Sequence, residues 1–237
     1  MPELCIQPHE AAVHEEAMRR IVNACRRAQD ARGVFSWALS GGSTPRKTYE
    51  RLRGAPIDWQ RVEVFWSDER PVPATSRHSN QRLAREALLD VVPIPAQRVH
   101  PMDGSATDLD AAARAYELEM RSVLGQPPQV DLALLGLGED AHTASLFPGT
   151  PALDETERWV VVNPAPVMAP RLTWTPPALR AARNLLVLVV GASKRQALRL
   201  ALHAPHDPHA IPIHSVLHDH PNAVVLADRH AARDCVE

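Results

Sequence analysis

Two stretches of this chain are apolar without interruption, Leu132-Ala133-Leu134-Leu135 and Leu185-Leu186-Val187-Leu188-Val189-Val190. A strand with one face in water alternates apolar and polar residues. An unbroken run belongs to a strand covered on both faces, as in a parallel sheet packed under helices. Segments of helical period lie between such runs. Residues 10–31 place Ala12, Val13, Ala17, Ile21, Val22 and Ala28 on one face, and 46–53, 80–90, 109–124 and 194–203 read similarly. Strands are expected at 34–39, 62–66, 99–102, 130–137, 159–163, 184–190 and 223–227. This alternation predicts an α/β fold, an open, mostly parallel sheet with helices on both faces. No repeat or low-complexity linker interrupts it, so residues 1–237 read as a single domain.

The composition removes several classes of function. A net charge of −2 gives no general basic face, which argues against a nucleic-acid partner. No apolar run approaches the ~18 residues of a membrane span. Cys5, Cys25 and Cys235 are odd in number and far apart, as expected of incidental thiols in a reducing compartment. The first residues lack a basic-then-apolar leader pattern, so a cytoplasmic location is expected. The histidines at 203, 206, 209, 214, 218 and 220 match no zinc spacing, and the expectation there is a solvated connection with no metal.

Candidate chemistry sits where strands end. Ser40-Gly41-Gly42-Ser43-Thr44-Pro45 joins a strand to a helix. It reads either as a plain turn or as an anion cradle, in which backbone N–H groups, the Ser43 and Thr44 hydroxyls and the helix N-terminus receive a phosphate. It is neither a Walker A loop nor a dinucleotide fingerprint. Ser67-Asp68-Glu69-Arg70 follows another strand and is either a solvated turn or part of a site. Lys194 opens a helix, where the dipole favours anions; this conflict points to a ligand for its ammonium group. Gly136-Leu137-Gly138-Glu139-Asp140-Ala141-His142 carries a carboxylate and an imidazole two residues apart, just past the most apolar strand. Open α/β sheets bind ligands at that edge, and these two side chains suit general acid–base work.

Taken in order, these segments resemble the glucosamine-6-phosphate isomerase/6-phosphogluconolactonase family, and within it the lactonases. The resemblance rests on Leu39 to Pro45, on Asp68-Glu69-Arg70 with Ser79-Asn80, and on Gly136 through His142-Thr143-Ala144-Ser145-Leu146-Phe147-Pro148. It continues through Arg171-Leu172-Thr173, Gly191-Ala192-Ser193-Lys194, Ile211-Pro212 and His220-Pro221-Asn222. It implies a fold like that of the deaminases and ribose-5-phosphate isomerase. It also implies cofactor-free, metal-free hydrolysis of 6-phospho-D-glucono-1,5-lactone in the pentose phosphate pathway, with that sugar-phosphate lactone as partner and either a monomer or a homodimer as the assembly.

The expected roles follow from that reaction. His142 would be the base, Asp140 its orienting partner, and Arg70 or loop N–H groups the oxyanion donors. Asp68 would take sugar hydroxyls. Gly41, Gly42, Ser43, Thr44, Arg171 and Lys194 would hold the phosphate. One departure is Ala141, where the family usually has glycine; a positive φ there would strain alanine. A related deaminase would need a glutamate before the loop proline, where this chain has Phe147. A non-catalytic sugar-phosphate sensor would normally carry a DNA-binding segment ahead of residue 10.

Overall fold

The computed structural model describes residues 2–166, 168–218 and 220–235. Strand β1 (Glu3–Gln7) leads into helix α1 (Glu10–Arg32), then β2 (Phe35–Leu39), α2 (Ser43–Leu52), β3 (Val62–Trp66), β4 (Asp68–Glu69) and α3 (Asn80–Ala84). Helix α4 (Leu109–Leu124) precedes β5 (Leu132–Gly136), β6 (Val160–Ala165), β7 (Met168–Trp174) and α5 (Pro176–Arg180). The chain closes with β8 (Leu185–Val189), α6 (Arg195–His203), α7 (His214–Leu217) and β9 (Ala223–Asp228). The helix ends follow local chemistry. The His9 ring accepts from the Ala12 N–H at the start of α1, and Asp108 accepts from the Ala111 N–H at the start of α4.

Six strands form a sheet in the order β1-β9-β8-β5-β2-β3, and every pairing in it is parallel. Successive residues of a strand serve opposite faces. Leu132 and Leu134 join Trp37, Ile21, Tyr49 and Leu88 under α1 and α2. Ala133 and Leu135 join Phe65, Tyr116, Leu179 and Leu198 under α4, α5 and α6. Both faces are therefore dry, as the unbroken apolar runs require. From β2 the chain moves outward to β3, whereas from β5 it moves the other way to β8. Their loops part at the carboxyl edge, and the crevice opens between them.

A second sheet, β4-β7-β6, is antiparallel. Only its 159–163 strand was expected from the sequence. Ser67 hinges the two sheets: its N–H donates to the Leu39 carbonyl (2.8 Å) and its own carbonyl accepts from Trp174 N–H (2.7 Å). Pro164 and Pro170 lie beside the register shift between β6 and β7, where the missing donors cost little. Other expectations shift as well. The segment at 80–90 is a short α-helix followed by a π-turn over Arg85–Leu89, and 99–102 provides only a single bridge, Val99 to Val64. No described helix is long and apolar enough to cross a membrane.

Candidate active site

The loops after β2, β3, β5 and β8 enclose a cavity of about 230 Å³ at the carboxyl edge of the parallel sheet. Its lining includes Ser40 to Thr44, Asp68, Arg70, His142 and Lys194, which the sequence singled out, and also Asn80, which it did not.

The loop after β5 is held by its own backbone. The Gly138 N–H donates to the His142 carbonyl (2.8 Å) and the Ala141 N–H to the Gly138 carbonyl (3.2 Å). The Thr143 hydroxyl donates to the Gly136 carbonyl (2.9 Å). This frame forces Ala141 to φ 61°, so the strain expected of alanine is present. It also brings His142 Nδ1 to 2.5 Å from Asp140 Oδ1, while the His142 backbone N–H reaches the same oxygen at 3.2 Å. The hydrogen bond from His142 holds the Asp140 carboxyl below the usual aspartate range, so it is ionised and accepts only. Nδ1 therefore carries the proton of this hydrogen bond. The imidazole is half-buried and packs at 4.8 Å against the Phe147 ring. Gly138 sits so close that a Cβ there would lie 2.1 Å from His142 Nδ1 and 2.5 Å from Asp140 Oδ1.

The acidic pair after β3 divides its work. Glu69 is a structural anchor. Its carboxylate accepts from the backbone N–H groups of Arg70, Asn80 and Gln81 and from the Ser79 hydroxyl, at 2.7–2.9 Å, which ties down the start of α3. Burial nevertheless pushes its carboxyl above the usual range. Asp68 lines the cavity, but its oxygens are already engaged: Oδ1 accepts from Asn80 Nδ2 (3.0 Å) and Oδ2 from the Ser145 hydroxyl (2.7 Å). Asn80 is 1% exposed, and its Oδ1 has no hydrogen-bond partner. It fits only because residue 41 is glycine, since a Cβ there would stand 1.8 Å from that oxygen. Ser40 Oγ is likewise buried without a partner at the cavity wall.

The positive charge is spread around the mouth. No side chain caps the first turn of α2, where Ser43 and Thr44 line the cavity. Lys194 reaches the cavity from the opposite loop and makes no ion pair among the described residues. Arg70 donates to the His78 carbonyl (2.5 Å), and its Nε is buried without a partner. Arg171 stands apart from the expectation. It lies on β7, outside the cavity lining, donates to the Ala169 carbonyl, and is held below the usual guanidinium range by burial and then by the charge of Arg70.

The histidine-rich segment is a solvated connection only in its first half, where His203, His206 and His209 are exposed. His214 is fully buried and His220 nearly so. The Nε2 atoms of His214 and His218 meet the Leu200 and Ala201 carbonyls in the last turn of α6; Leu200 also accepts from the Ala204 N–H, whereas residue 205 is proline and has no N–H to offer Ala201. Among the described residues, no three His, Cys, Asp or Glu side chains come together as a metal site.

Cationic groups, an uncapped helix start and an ionised carboxylate that orients an imidazole come together around one cavity, an α/β enzyme site suited to a small anionic substrate. The chain belongs to the family described as glucosamine-6-phosphate isomerases/6-phosphogluconolactonase, which matches residues 8–226. The 6-phosphogluconolactonase of Synechocystis is 40% identical over 215 residues, covering 89% of each chain. That of Mycobacterium tuberculosis is 39% identical over 227 residues, covering 91% of each. The structure of 6-phosphogluconolactonase from Trypanosoma brucei superposes with a TM-score of 0.86 at 32% identity, over 100% of this chain and 99% of that one. A monomeric glucosamine-6-phosphate deaminase, 22% identical with a TM-score of 0.85, shares the fold.

Proposed function

We propose that this chain hydrolyses 6-phospho-D-glucono-1,5-lactone to 6-phosphogluconate, the reaction named by its relatives, in a reducing cytoplasm where its three free cysteines persist. The observation that carries the reading is the Asp140–His142 pair at 2.5 Å beside a cavity that Lys194 and the start of α2 also line. A lactone needs three things: water delivered to C1, a stabilised oxyanion, and a proton for the departing ring oxygen. His142 Nε2 takes the proton from water as the C1–O bond forms. The resulting imidazolium, balanced by Asp140, returns that proton to the ring oxygen as its bond to C1 breaks. Such a base contributes about 10²–10⁴-fold.

Ser43, Thr44 and Lys194 hold the 6-phosphate at the helix start. Arg70 is the oxyanion donor. A buried N–H without a partner costs about 1–3 kcal/mol, and a small rotation onto an anionic ligand relieves that cost. Asp68 presents its remaining lone pairs to the sugar hydroxyls while Asn80 and Ser145 fix its plane. Arg171 acts behind Arg70, adding positive potential to that side of the cavity.

The deaminase reading is disfavoured by Phe147. It lies against His142, where proton transfer during amine elimination would need a carboxylate. The test is lactone hydrolysis by purified protein with a chelator present, measured against the spontaneous rate. His142→Ala should reduce kcat by about 10²–10⁴-fold with phosphate-ligand affinity nearly intact. No rate above background, or ammonia release from glucosamine 6-phosphate, would overturn the proposal.

A further inference from the structure

A second cavity, of about 330 Å³, opens at the amino-terminal edge of the same sheet, on the side away from His142. One wall is the face of α1 that carries Arg19, Arg20, Arg27 and Arg32; the floor is formed by the starts of β5 and β8, Leu132, Leu185 and Leu186. Asn23 and Asn222 add amide groups to the rim. This cavity is larger than the catalytic one and falls in the ~300–1,000 Å³ range of small-molecule sites.

The charge around it is in excess. Asp131 is the one carboxylate in the lining, and it is already committed: it accepts from the Ser36 N–H (2.8 Å) and hydroxyl (3.0 Å) and from Arg32 (2.6 Å), with Arg183 at 3.4 Å. Arg19 pairs with Glu16, and Arg20 with Glu16 and Glu3. Arg27 has no ion pair among the described residues and is exposed. These five arginines thus face three carboxylates. The α1 face serves no step of lactone hydrolysis, and an arginine cluster costs self-repulsion when it has no anion to hold.

We propose that this cavity binds an organic phosphate with a flat apolar body, the chemistry of a nucleoside diphosphate. Guanidinium forks bind phosphate through two parallel hydrogen bonds, and their planar faces stack on aromatic rings. The base lies on the apolar floor offered by the partly exposed Ala24 and Val224, with Leu132, Leu185 and Leu186 buried beneath it. Inorganic phosphate alone would leave that floor bare. The site is independent of the catalytic reading, since it shares no lining residue with the His142 cavity.

The experiment is calorimetric titration of the full chain with ADP, pyrophosphate and adenosine, together with R27E and Lys194→Ala. ADP is expected to bind more tightly than either fragment. R27E should weaken it at least about tenfold, the loss of one charge-assisted contact, and leave lactone hydrolysis unchanged without ADP. Lys194→Ala should leave ADP affinity unchanged. The proposal is overturned if ADP does not bind at millimolar concentration, or if R27E binds it normally. It is equally overturned if pyrophosphate matches ADP, or if Lys194→Ala abolishes ADP binding, which would place the ligand in the catalytic cavity.

Discussion

Gly138→Ala should inactivate the enzyme without unfolding it. The added Cβ would sit 2.1 Å from His142 Nδ1, 2.4 Å from its Cε1 and 2.5 Å from Asp140 Oδ1. Ordinary contact begins near 3.4 Å, so the ring must retreat by about 1.3 Å. The backbone itself has no objection, because Gly138 is not among the positive-φ residues. The atoms in the way are side-chain ends on a half-exposed loop, and they yield more cheaply than backbone. The displacement therefore falls almost wholly on the Asp140–His142 bond, now 2.5 Å. A misplacement of about 1 Å in a reacting group costs on the order of 10²-fold in rate. We expect kcat to fall by about that factor, KM to change less than threefold, and Tm to drop by no more than ~4 °C, which is ~1 kcal/mol at this chain length. Steady-state kinetics and a thermal melt on the same preparation provide both readouts. A variant retaining a third or more of wild-type kcat would refute the claim that the pair's geometry carries the reaction. Loss of kcat together with a collapsed melt would mean that Gly138 serves the fold rather than the dyad.

Gly41→Ala should behave differently, losing stability as well as activity, because its Cβ would meet the immobile, buried Asn80 amide at 1.8 Å; a normal urea midpoint would contradict this. Lys194→Ala should raise KM about tenfold or more with kcat little changed, consistent with a lost charge-assisted phosphate contact; an unaltered KM removes Lys194 from the phosphate end. Burial holds His14, His214 and His220 below the ordinary 6.5 in the folded state, so the unfolded chain binds protons first as pH falls. Their contribution to stability is complete above pH 6.5 and is lost as pH falls through the lowered values, ahead of most carboxylates. Urea midpoints that stay flat between pH 7.5 and 5.5 would show that the three rings are not buried neutral. Ser145→Ala frees one oxygen of Asp68, and should cut kcat more than it lowers Tm.

Most of the parallel sheet was legible because its inner strands are apolar without a break and its helices are periodic; α4 lies where the sequence placed it, and α1 differs by a single residue. The edge strand β1, Glu3–Gln7, was missed, being short, polar at both ends and only partly buried. The antiparallel sheet was not legible for physical reasons. β4 is two residues long and owes its conformation to β7, far away in sequence, while β7 contains Pro170 and pairs with its neighbour β6 through a register shift. In the site, residues with distinctive chemistry at strand ends, such as His142, Asp140, Lys194 and Ser43, were visible from local pattern alone. Asn80 and Ser145 were quoted within motifs yet given no role. Their work is to hold Asp68, and nothing local shows that 145 meets 68. The same limit left Glu69 without a role, when its carboxylate ties down the start of α3 while Asp68 faces the cavity. The second half of the histidine-rich segment, His214 to His220, was misjudged because histidine counts as polar in a pattern, whereas buried backbone carbonyls give a ring nitrogen its partner.

Ala141 shows how an alanine can occupy a left-handed position without net cost to the loop that carries His142. Alanine in the left-handed region costs roughly 1–2 kcal/mol relative to a right-handed conformation. Against that, its methyl is 1% exposed and joins the cluster of Leu146 and Ile213, and a buried methyl(ene) is worth ~0.8 kcal/mol. Alanine also restricts the unfolded chain more than glycine does, contributing about 0.4–1 kcal/mol. The terms nearly cancel, so the substitution is close to neutral for stability. The turn does not rely on a glycine at 141 to find its shape. The Ile213 N–H donates to the Ala141 carbonyl (3.1 Å), and the Gly138–His142 backbone bond closes the loop from the other side. With the peptide at 141 clamped between those bonds, φ stays positive whichever of the two residues is present. The indispensable glycine of this loop is then Gly138, where the demand is for space beside His142 rather than for backbone freedom.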